Sequence, residues 1–257
     1  MKRRHLFEFN DEPWAPEVLR ESIVETLGRA IRWSGMLRGL AGPFGHFLDR
    51  TGATEVLDLC AGSGEPARIL ASELRRAGAR PPRFVLTDLV PRPEPWIRAR
   101  AADPEAIDFH AESVDATAIP ASLSKGRARL VVNSLHHLPA DVVHGVLRDA
   151  VAGGVGIFVS EAFPRDPLRF LPFAPWAIPA GLASSLLAHE RRFAKALWTP
   201  ALFAAGTWDG FVSTMRVHTE DEIREMVAPL GTFEWEFGTF PWKPFGLGTW
   251  FCGYPRP

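Results

Sequence analysis

Several large protein classes are excluded by what this chain lacks. Its 257 residues contain two cysteines, Cys60 and Cys252. They lie far apart and without metal-ligand spacing, which excludes a disulfide scaffold or a zinc ribbon and suits a reducing compartment. Charge of one sign is missing too: 29 Lys and Arg meet 30 Asp and Glu, for a net −1. No basic field draws a polyanion, so nucleic acid is not an expected partner. The opening MKRRHLFEFN is basic but has no apolar core of signal-peptide length, and a cytoplasmic location is expected. Residues 170–188 carry no charge, yet Pro172, Pro175 and Pro179 interrupt the first half, which excludes a membrane-spanning helix. Carboxylates spaced for a catalytic magnesium and a Ser-His-Asp pattern are both absent, and no metal is expected. One tyrosine stands against nine tryptophans and 18 phenylalanines, so the aromatic surfaces are greasy rather than hydroxyl-lined.

The chain is otherwise ordinary for a globular protein, 46% hydrophobic and 23% charged. Its length allows one sizeable α/β core with room for an insertion. Everything is arranged around residues 54–67, TEVLDLCAGSGEPA. A short apolar run containing Asp58 leads into Gly62, Ser63 and Gly64, and Pro66 suits the first turn of a helix. A strand that passes through a glycine turn into a helix gathers free backbone N–H groups at one point. Glycines there tolerate positive φ and let a ligand approach the backbone.

Two nucleotide readings compete for this loop. Residues 62–67 fit G-x-G-x-x-[GA], the dinucleotide fingerprint. The stretch also resembles motif I of the class I S-adenosylmethionine-dependent methyltransferases, an acid followed by glycines at alternate positions. Asp58, Gly62 and Gly64 match that motif, and Cys60 departs from it where the first glycine usually stands. A carboxylate gains nothing beside a pyrophosphate, so Asp58 and Glu65 favour the methyltransferase resemblance over a nicotinamide-dependent oxidoreductase. The resemblance implies that S-adenosylmethionine lies along Asp58, Cys60, Ala61, Gly62, Ser63 and Gly64, with Asp58 near its ammonium end.

Downstream, residues 83–88 read as a second strand ending in Asp88. An acid there accepts from both ribose hydroxyls of an adenosine ligand, and Leu89 lies beside it. A third strand at 107–110 is followed by Asp115 and Ala116, where the resembling family often reads the adenine amino group; Glu112 is the runner-up. The apolar run 129–134 reads as a strand buried on both faces. It ends in Asn133 and Ser134, ahead of His136 and His137. Asn133 is followed by Ser134-Leu135, unlike the Asn-Pro-Pro-Tyr motif of amino-group methylases. A fifth strand follows at 155–161. Strands alternating with helices argue a Rossmann-like, mostly parallel seven-stranded α/β sheet with helices on both faces. Residues 233–240 and 249–254 form its terminal antiparallel pair, as in the family. A capping box from Thr219 to Glu222 opens the preceding helix.

Residues 1–50 are expected as an N-terminal helical cap, with Pro16 opening one helix, Gly35 ending it and Gly42-Pro43 breaking the next. Residues 51–257 form the catalytic domain, with 162–218 inserted after the fifth strand. That insertion is proline- and aromatic-rich, and three uses stand open for it: a lid over an acceptor pocket, a peripheral membrane contact flanked by arginines, or a homodimer interface. Its segment Trp-Asp-Gly-Phe-Val-Ser at 208–213, with Arg216 following, resembles a poorly characterised bacterial subgroup of these methyltransferases. The expected function is methyl transfer to a small, largely apolar or aromatic acceptor. Alternatives are a membrane-lipid or quinone-like acceptor, the oxidoreductase, or a non-catalytic adenosyl-cofactor-binding protein. His136 and His137 are the candidate bases, with His110, His218 and Glu161 behind them. Trp14, Trp33, Trp176, Asp209 and Arg216 are the candidate acceptor-contacting groups.

Overall fold

Alternating burial builds the sheet. In register, Val56, Phe84, Leu130 and Phe158 face one side, and Leu57, Val85, Val131 and Val159 face the other. These two sets seed two separate hydrophobic cores, one on each face. The computed structural model describes residues 2–187 and 191–256, and of Trp176 and Ala177 it describes the backbone alone. Strands β1 (Glu55–Asp58), β2 (Arg83–Leu86), β3 (Ile107–Phe109), β4 (Ala128–Val132) and β5 (Ile157–Glu161) run parallel. Strands β6 (Phe233–Trp242) and β7 (Gly246–Pro255) add an antiparallel pair, and the order is β3-β2-β1-β4-β5-β7-β6. Every residue of β4 and β5 is buried, as their apolar runs predict. The order reverses between β1 and β4, and open α/β sheets bind ligands at the carboxyl ends of the strands beside such a reversal.

Ten helices accompany the sheet among the described residues: α1 (Glu17–Ser34), α2 (Ala41–Thr51), α3 (Glu65–Arg76), α4 (Pro93–Ala102), the single turn α5 (Ala121–Ser124), α6 (Ala140–Gly153), the single turn α7 (Pro167–Phe170), α8 (Ala177–Leu186), α9 (Arg192–Arg216) and α10 (Glu220–Val227). Gly35 ends α1 in a left-handed conformation, φ 61°, and the capping box at Thr219 forms as expected.

Residues 17–51 are largely helical, and one detail of the sequence reading is corrected there. Gly42-Pro43 does not break a helix but lies in the first turn of α2, where the missing proline N–H has no intrahelical partner to lose. Phe44 and Phe47 of α2 then pack into the sheet core, with the Phe44 ring 5.2 Å from Phe158 and 6.0 Å from Phe84. Helix α2 therefore belongs to the sheet. Helix α1 belongs to the insertion: its Leu19 and Ile23 join Leu202 and Ala205 of α9 in a small third core. Ahead of α1, residues 2–15 form an arm without regular helix or strand that runs along α9.

Candidate active site

At the carboxyl end of β1 the chain turns sharply. Cys60 adopts φ 56°, Gly62 φ 53° and Gly64 φ 73°. The last two are glycines because the turn demands it. A Cβ on Gly64 would lie 2.6 Å from Leu86 Cδ1 and 3.2 Å from Trp96 Cδ1, whereas one on Gly62 would meet open space. Gly64 is thus the packing glycine, whereas Gly62 borders open space. Gly64→Ala is expected to destabilise the chain by about 2–4 kcal/mol, left-handed strain plus overpacking. Urea unfolding measures it, and a loss below about 0.5 kcal/mol would contradict the packing described. Cys60 holds a left-handed position at φ 56° although it is not glycine. Helix α4, which the sequence pattern does not reveal, locks the loop: Trp96 Nε1 donates to the Gly62 carbonyl at 3.0 Å. Its signal is a lone apolar tryptophan after Pro93 and Pro95, too little to establish periodicity.

Asp58 is buried and its Oδ2 has no hydrogen-bond partner. Burial, with the Asp88 charge adding to it, pushes the Asp58 carboxyl up to about 8. Asp88 closes the loop from β2, its Oδ2 accepting from Gly62 N at 2.9 Å and its Oδ1 from Val90 N at 3.0 Å. Leu89 beside it is exposed, and Ala61 is buried with its N–H on the Thr87 carbonyl. Asp115 stands in the open in the loop after β3, its Oδ1 accepting from Thr117 N and Oγ1, with Ala116 half-buried next to it. On the other side of the reversal Asn133 ends β4 at φ 54°, its Oδ1 accepting from Ala162 N, and Ser134 Oγ points to the Cys60 carbonyl at 3.4 Å. Left-handed non-glycine residues thus end both β1 and β4, a strain of roughly 1–3 kcal/mol each concentrated where the sheet order reverses. Helix α1 lies over the loop, Gly28 against Ser63 and Glu65, with Arg32 paired to Glu65.

The two histidines have different surroundings. Their rings are 4.2 Å apart. His136 is buried, and Glu161 at the end of β5 grips it twice: Oε1 accepts from His136 N at 2.9 Å and Oε2 meets Nδ1 at 2.7 Å. A carboxylate only accepts, so Nδ1 carries a proton, and in the neutral imidazole the lone pair is then on Nε2. Nε2 is buried without a partner. His137 is more exposed, and its Nδ1 meets Asp11 Oδ1 at 3.0 Å. Glu161 ranks behind the histidines in the sequence, because 25 residues separate it from His136 and only the pairing of β4 with β5 brings them together. His110 sits apart at the end of β3, 3.8 Å from Glu112, and His218 takes no part in facing the loop: burial drives it down to about 4.

Arg216 is corrected by the structure, whereas Asp209 lines the cavity described below while it also binds the arm. Both serve the N-terminal arm. Asp209 Oδ1 and Oδ2 accept from Phe9 N and Asn10 N at 2.7 and 3.0 Å, and Trp208 Nε1 donates to the Phe7 carbonyl. Ser213 Oγ donates to Glu8, and buried Arg216 donates to the Leu6 carbonyl and to Asp11. Residues 209, 213 and 216 share one face of α9, so the Trp-Asp-Gly segment is the arm's docking strip. Arg216 does not line the cavity described below. Neither does Trp14, which is 63% exposed and packs on Phe7 and Phe9. The Trp176 side chain lies outside the described residues. Among the described residues, Glu8, His136 and His137 each bring a nitrogen or oxygen within 4.8 Å of the others. Arg216 Nη1 lies 3.2 Å from Glu8 and 3.4 Å from His137, so a guanidinium already supplies positive charge there and repels a metal cation.

Beside the histidines lies a cavity of about 550 Å³. Its base is Asn133, His136, Ala162 and Phe163 at the carboxyl ends of β4 and β5, with Trp242 from β6. Helix α1 contributes Ile23, Thr26 and Leu27, with Trp33 among the lining residues at 56% exposure. The insertion contributes Phe170, Phe173, Leu202, Phe203 and Asp209, and the arm contributes Glu8 and Asn10. Of the insertion's other aromatics, Phe193 is 79% exposed, Trp198 packs in the third core and Trp208 binds the arm. The wall is overwhelmingly apolar with a few polar groups, as in small-molecule sites.

No protein-family model matches the chain. A curated protein of Bordetella petrii, described as a "probable nicotinate-nucleotide adenylyltransferase", is 28% identical over 169 residues, 58% of this chain and 82% of that one. Among solved structures, the O-methyltransferase NcsB1 from neocarzinostatin biosynthesis, in complex with S-adenosylmethionine and 2-hydroxy-5-methyl naphthoic acid, aligns at TM-score 0.52 and 13% identity over 93% of this chain and 59% of its own. The S-adenosylmethionine-dependent methyltransferase SibL aligns at 0.50 and 18% identity over 87% and 56%. This chain thus spans a little over half the length of those two. The methyltransferase domain of a bacterial Hen1 aligns at 0.50 and 14% identity over 85% and 99%. In strand order, in the glycine turn after β1 and in these structural likenesses, the chain has the fold of the class I S-adenosylmethionine-dependent methyltransferases.

Proposed function

We propose that this protein transfers a methyl group from S-adenosylmethionine to a hydroxyl of a small, largely aromatic or apolar acceptor. The observation that carries the reading is an apolar cavity lined in part by His136, whose ring Glu161 orients through Nδ1 beside the strand reversal. The cofactor fits the residues present: Asp58 is a buried carboxylate with an unpaired oxygen, Gly62 leaves open space, and Asp88 and Asp115 follow in the loops after β2 and β3. S-adenosylmethionine supplies a methyl group on a sulfonium, so the chain's own task is to orient the acceptor and take its proton. With the cofactor bound to supply the methyl group, the cavity would orient the acceptor oxygen and His136 would take the hydroxyl proton. NcsB1, solved with a hydroxylated aromatic acid, lends support to an acceptor of this kind.

The adenylyltransferase likeness is less well supported by the site. Nucleotidyl transfer needs cationic groups around a polyphosphate, whereas Asp58 and Asp88 are acids beside the glycine turn and the arginines there, Arg32 and Arg68, are paired with Glu65. Calorimetry tests the proposal. S-adenosylhomocysteine should bind; tight binding of NADPH or ATP with no response to S-adenosylhomocysteine would replace this reading by an oxidoreductase or nucleotidyltransferase. Binding of S-adenosylhomocysteine without a +14 Da product across a broad acceptor panel would favour a non-catalytic binding protein.

A second reading rests on the outer face of the insertion. Leu168, Leu171, Ile178, Leu182, Leu186, Leu187, Phe193 and Leu197 are all 45% exposed or more. Residues 178, 182 and 186 form one stripe of α8. Among the described residues no helix is long and apolar enough to cross a membrane, but such a stripe suits a helix lying in a lipid interface and feeding an apolar acceptor to the cavity. Liposome flotation should then retain the chain, and Ile178, Leu182 and Phe193 changed together to Ser should release it. A wild-type chain that stays in solution as a dimer, and becomes monomeric on the same changes, would assign the stripe to a homodimer interface.

A further inference from the structure

The N-terminal arm has no backbone ladder, so side-chain clamps set its place. It runs antiparallel to α9: Arg4 N donates to the Met215 carbonyl, Glu8 accepts from Ser213, and Phe9 N and Asn10 N donate to Asp209. Its first residues pass the end of α9 and reach the turn that carries His136, Leu135–His137.

That turn has an open end. Its own backbone bonds use the carbonyls of Ser134 and Leu135, which accept from His137 N and Leu138 N. The carbonyls of His136, His137 and Leu138 lie past these bonds and need other donors. The arm supplies them. Arg3 Nη2 donates to the His136 carbonyl at 3.0 Å and to the Leu138 carbonyl at 2.7 Å, and His5 Nε2 donates to the His137 carbonyl at 3.2 Å. Arg3 Nε donates to the carbonyl of Arg216, the last residue of α9, at 2.6 Å. One guanidinium thus ties the end of the insertion's long helix to the turn after β4. Its planar fork presents several N–H donors in fixed directions, whereas a lysine is a point of charge on a flexible stem. His136 is therefore held at both ends of its backbone, with Glu161 on the N–H and Arg3 on the carbonyl.

We propose that Arg3 is a positioning residue for His136, an inference whose effect on rate rests on the methyl-transfer reading above. Arg3 does not line the cavity and acts only through the backbone of the histidine. Glu161 sets which ring nitrogen carries the proton, and Arg3 sets where the ring stands. A general base must lie within hydrogen-bond reach of the proton it takes, and a displacement of about 1 Å costs up to roughly 100-fold in rate.

The experiment compares wild type, Arg3→Gln, Arg3→Lys, Glu161→Gln and the double variant of Arg3→Gln with Glu161→Gln. The first readout needs neither cofactor nor acceptor. Hydrogen exchange across residues 134–138 should be at least about fivefold faster in Arg3→Gln than in wild type, with the glycine turn after β1 unchanged. Equal exchange at 134–138 would overturn the proposal. The second readout is turnover near pH 8 of 2-naphthol, which is un-ionised, and of 4-nitrophenol, which is largely ionised and needs no base. Arg3→Gln should lower kcat on 2-naphthol about 10- to 100-fold. KM, S-adenosylhomocysteine affinity and the rate on 4-nitrophenol should stay within about threefold. Arg3→Lys should recover part of the loss. On the Glu161→Gln background Arg3→Gln should cost little more, because residues that act through one base are not additive. An equal loss on both phenols, or losses that multiply in the double variant, would leave Arg3 a merely structural residue and overturn the proposal. Failure of S-adenosylhomocysteine to bind, or of wild type to methylate either phenol, would strike the methyl-transfer reading instead, and exchange at the turn would still decide on Arg3.

Discussion

Asp58→Asn is expected to make the chain more stable and to remove most of its affinity for S-adenosylmethionine. Asp58 is buried at the end of β1 with Oδ2 unpaired and Asp88 close by, and its carboxyl is raised to about 8. The unfolded value is about 3.9. A carboxyl raised by folding binds its proton more tightly in the native state, so its stabilising contribution is complete below about pH 4. It is then lost as pH climbs from about 4 to about 8, and stays lost above. Near pH 8 the deficit is on the order of 5 kcal/mol, since each pH unit between the unfolded and folded values is worth about 1.4 kcal/mol. Asparagine keeps the shape and has no charge to bury. The variant should unfold at higher urea than wild type at pH 8, and the gap should close as pH falls toward 4. The same charge is what a sulfonium amino acid's ammonium group needs. Losing a buried charged hydrogen bond costs about 1.5–3 kcal/mol, or roughly 10- to 150-fold in cofactor affinity. Wild-type affinity should also fall as pH drops below about 8, with proton release on binding visible in calorimetry in two buffers of different ionisation enthalpy. A variant no more stable than wild type at pH 8 would show that Asp58 is not held under this strain.

The segments legible in the sequence are those whose physics is local. The glycine turn, its helix, the buried run of β4 and the capping box at Thr219 declare themselves within a dozen residues, because backbone freedom, periodicity and capping are short-range effects. The acids ending β1 and β2 are legible for the same reason. What the sequence hides depends on contacts across the chain. Nothing in the residues around Glu8, Asn10 or Asp11 says that they return to α9, since an arm without periodicity has no local signature. Arg216 resembles a pocket group in the sequence, yet its partners are the arm's backbone and carboxylates, and Asp209, which does line the cavity, also holds the arm's backbone. Gly42-Pro43 misleads because Pro suits a first helical turn as well as a break, and only the packing of Phe44 decides between them.

Glu161→Gln is expected to lower kcat by about three orders of magnitude while leaving KM and stability nearly unchanged. The reason is the two-point grip. Glu161 Oε1 accepts from the His136 backbone N–H, and Oε2 accepts from Nδ1. A backbone N–H can only donate, so a glutamine at 161 must turn its carbonyl oxygen toward it. The amide NH₂ then faces Nδ1, which has to become the acceptor, and the ring proton moves to Nε2. The histidine stays in place with the wrong nitrogen protonated and cannot take a proton from the acceptor. The same tautomer error in the chymotrypsin-type triad costs about 10⁴ in kcat, and general-base loss alone costs about 10²–10⁴. His136→Ala should lose at least as much activity. His137→Ala should lose little, because its Nδ1 serves Asp11 and the arm. Acceptor acidity separates this positioning role from a merely structural one. A nitro-substituted phenol, already ionised at the assay pH, needs no base, so Glu161→Gln should methylate it nearly as fast as wild type while failing on the un-ionised parent. If both acceptors slow alike, Glu161 supports the architecture of β5 and not the protonation state of His136.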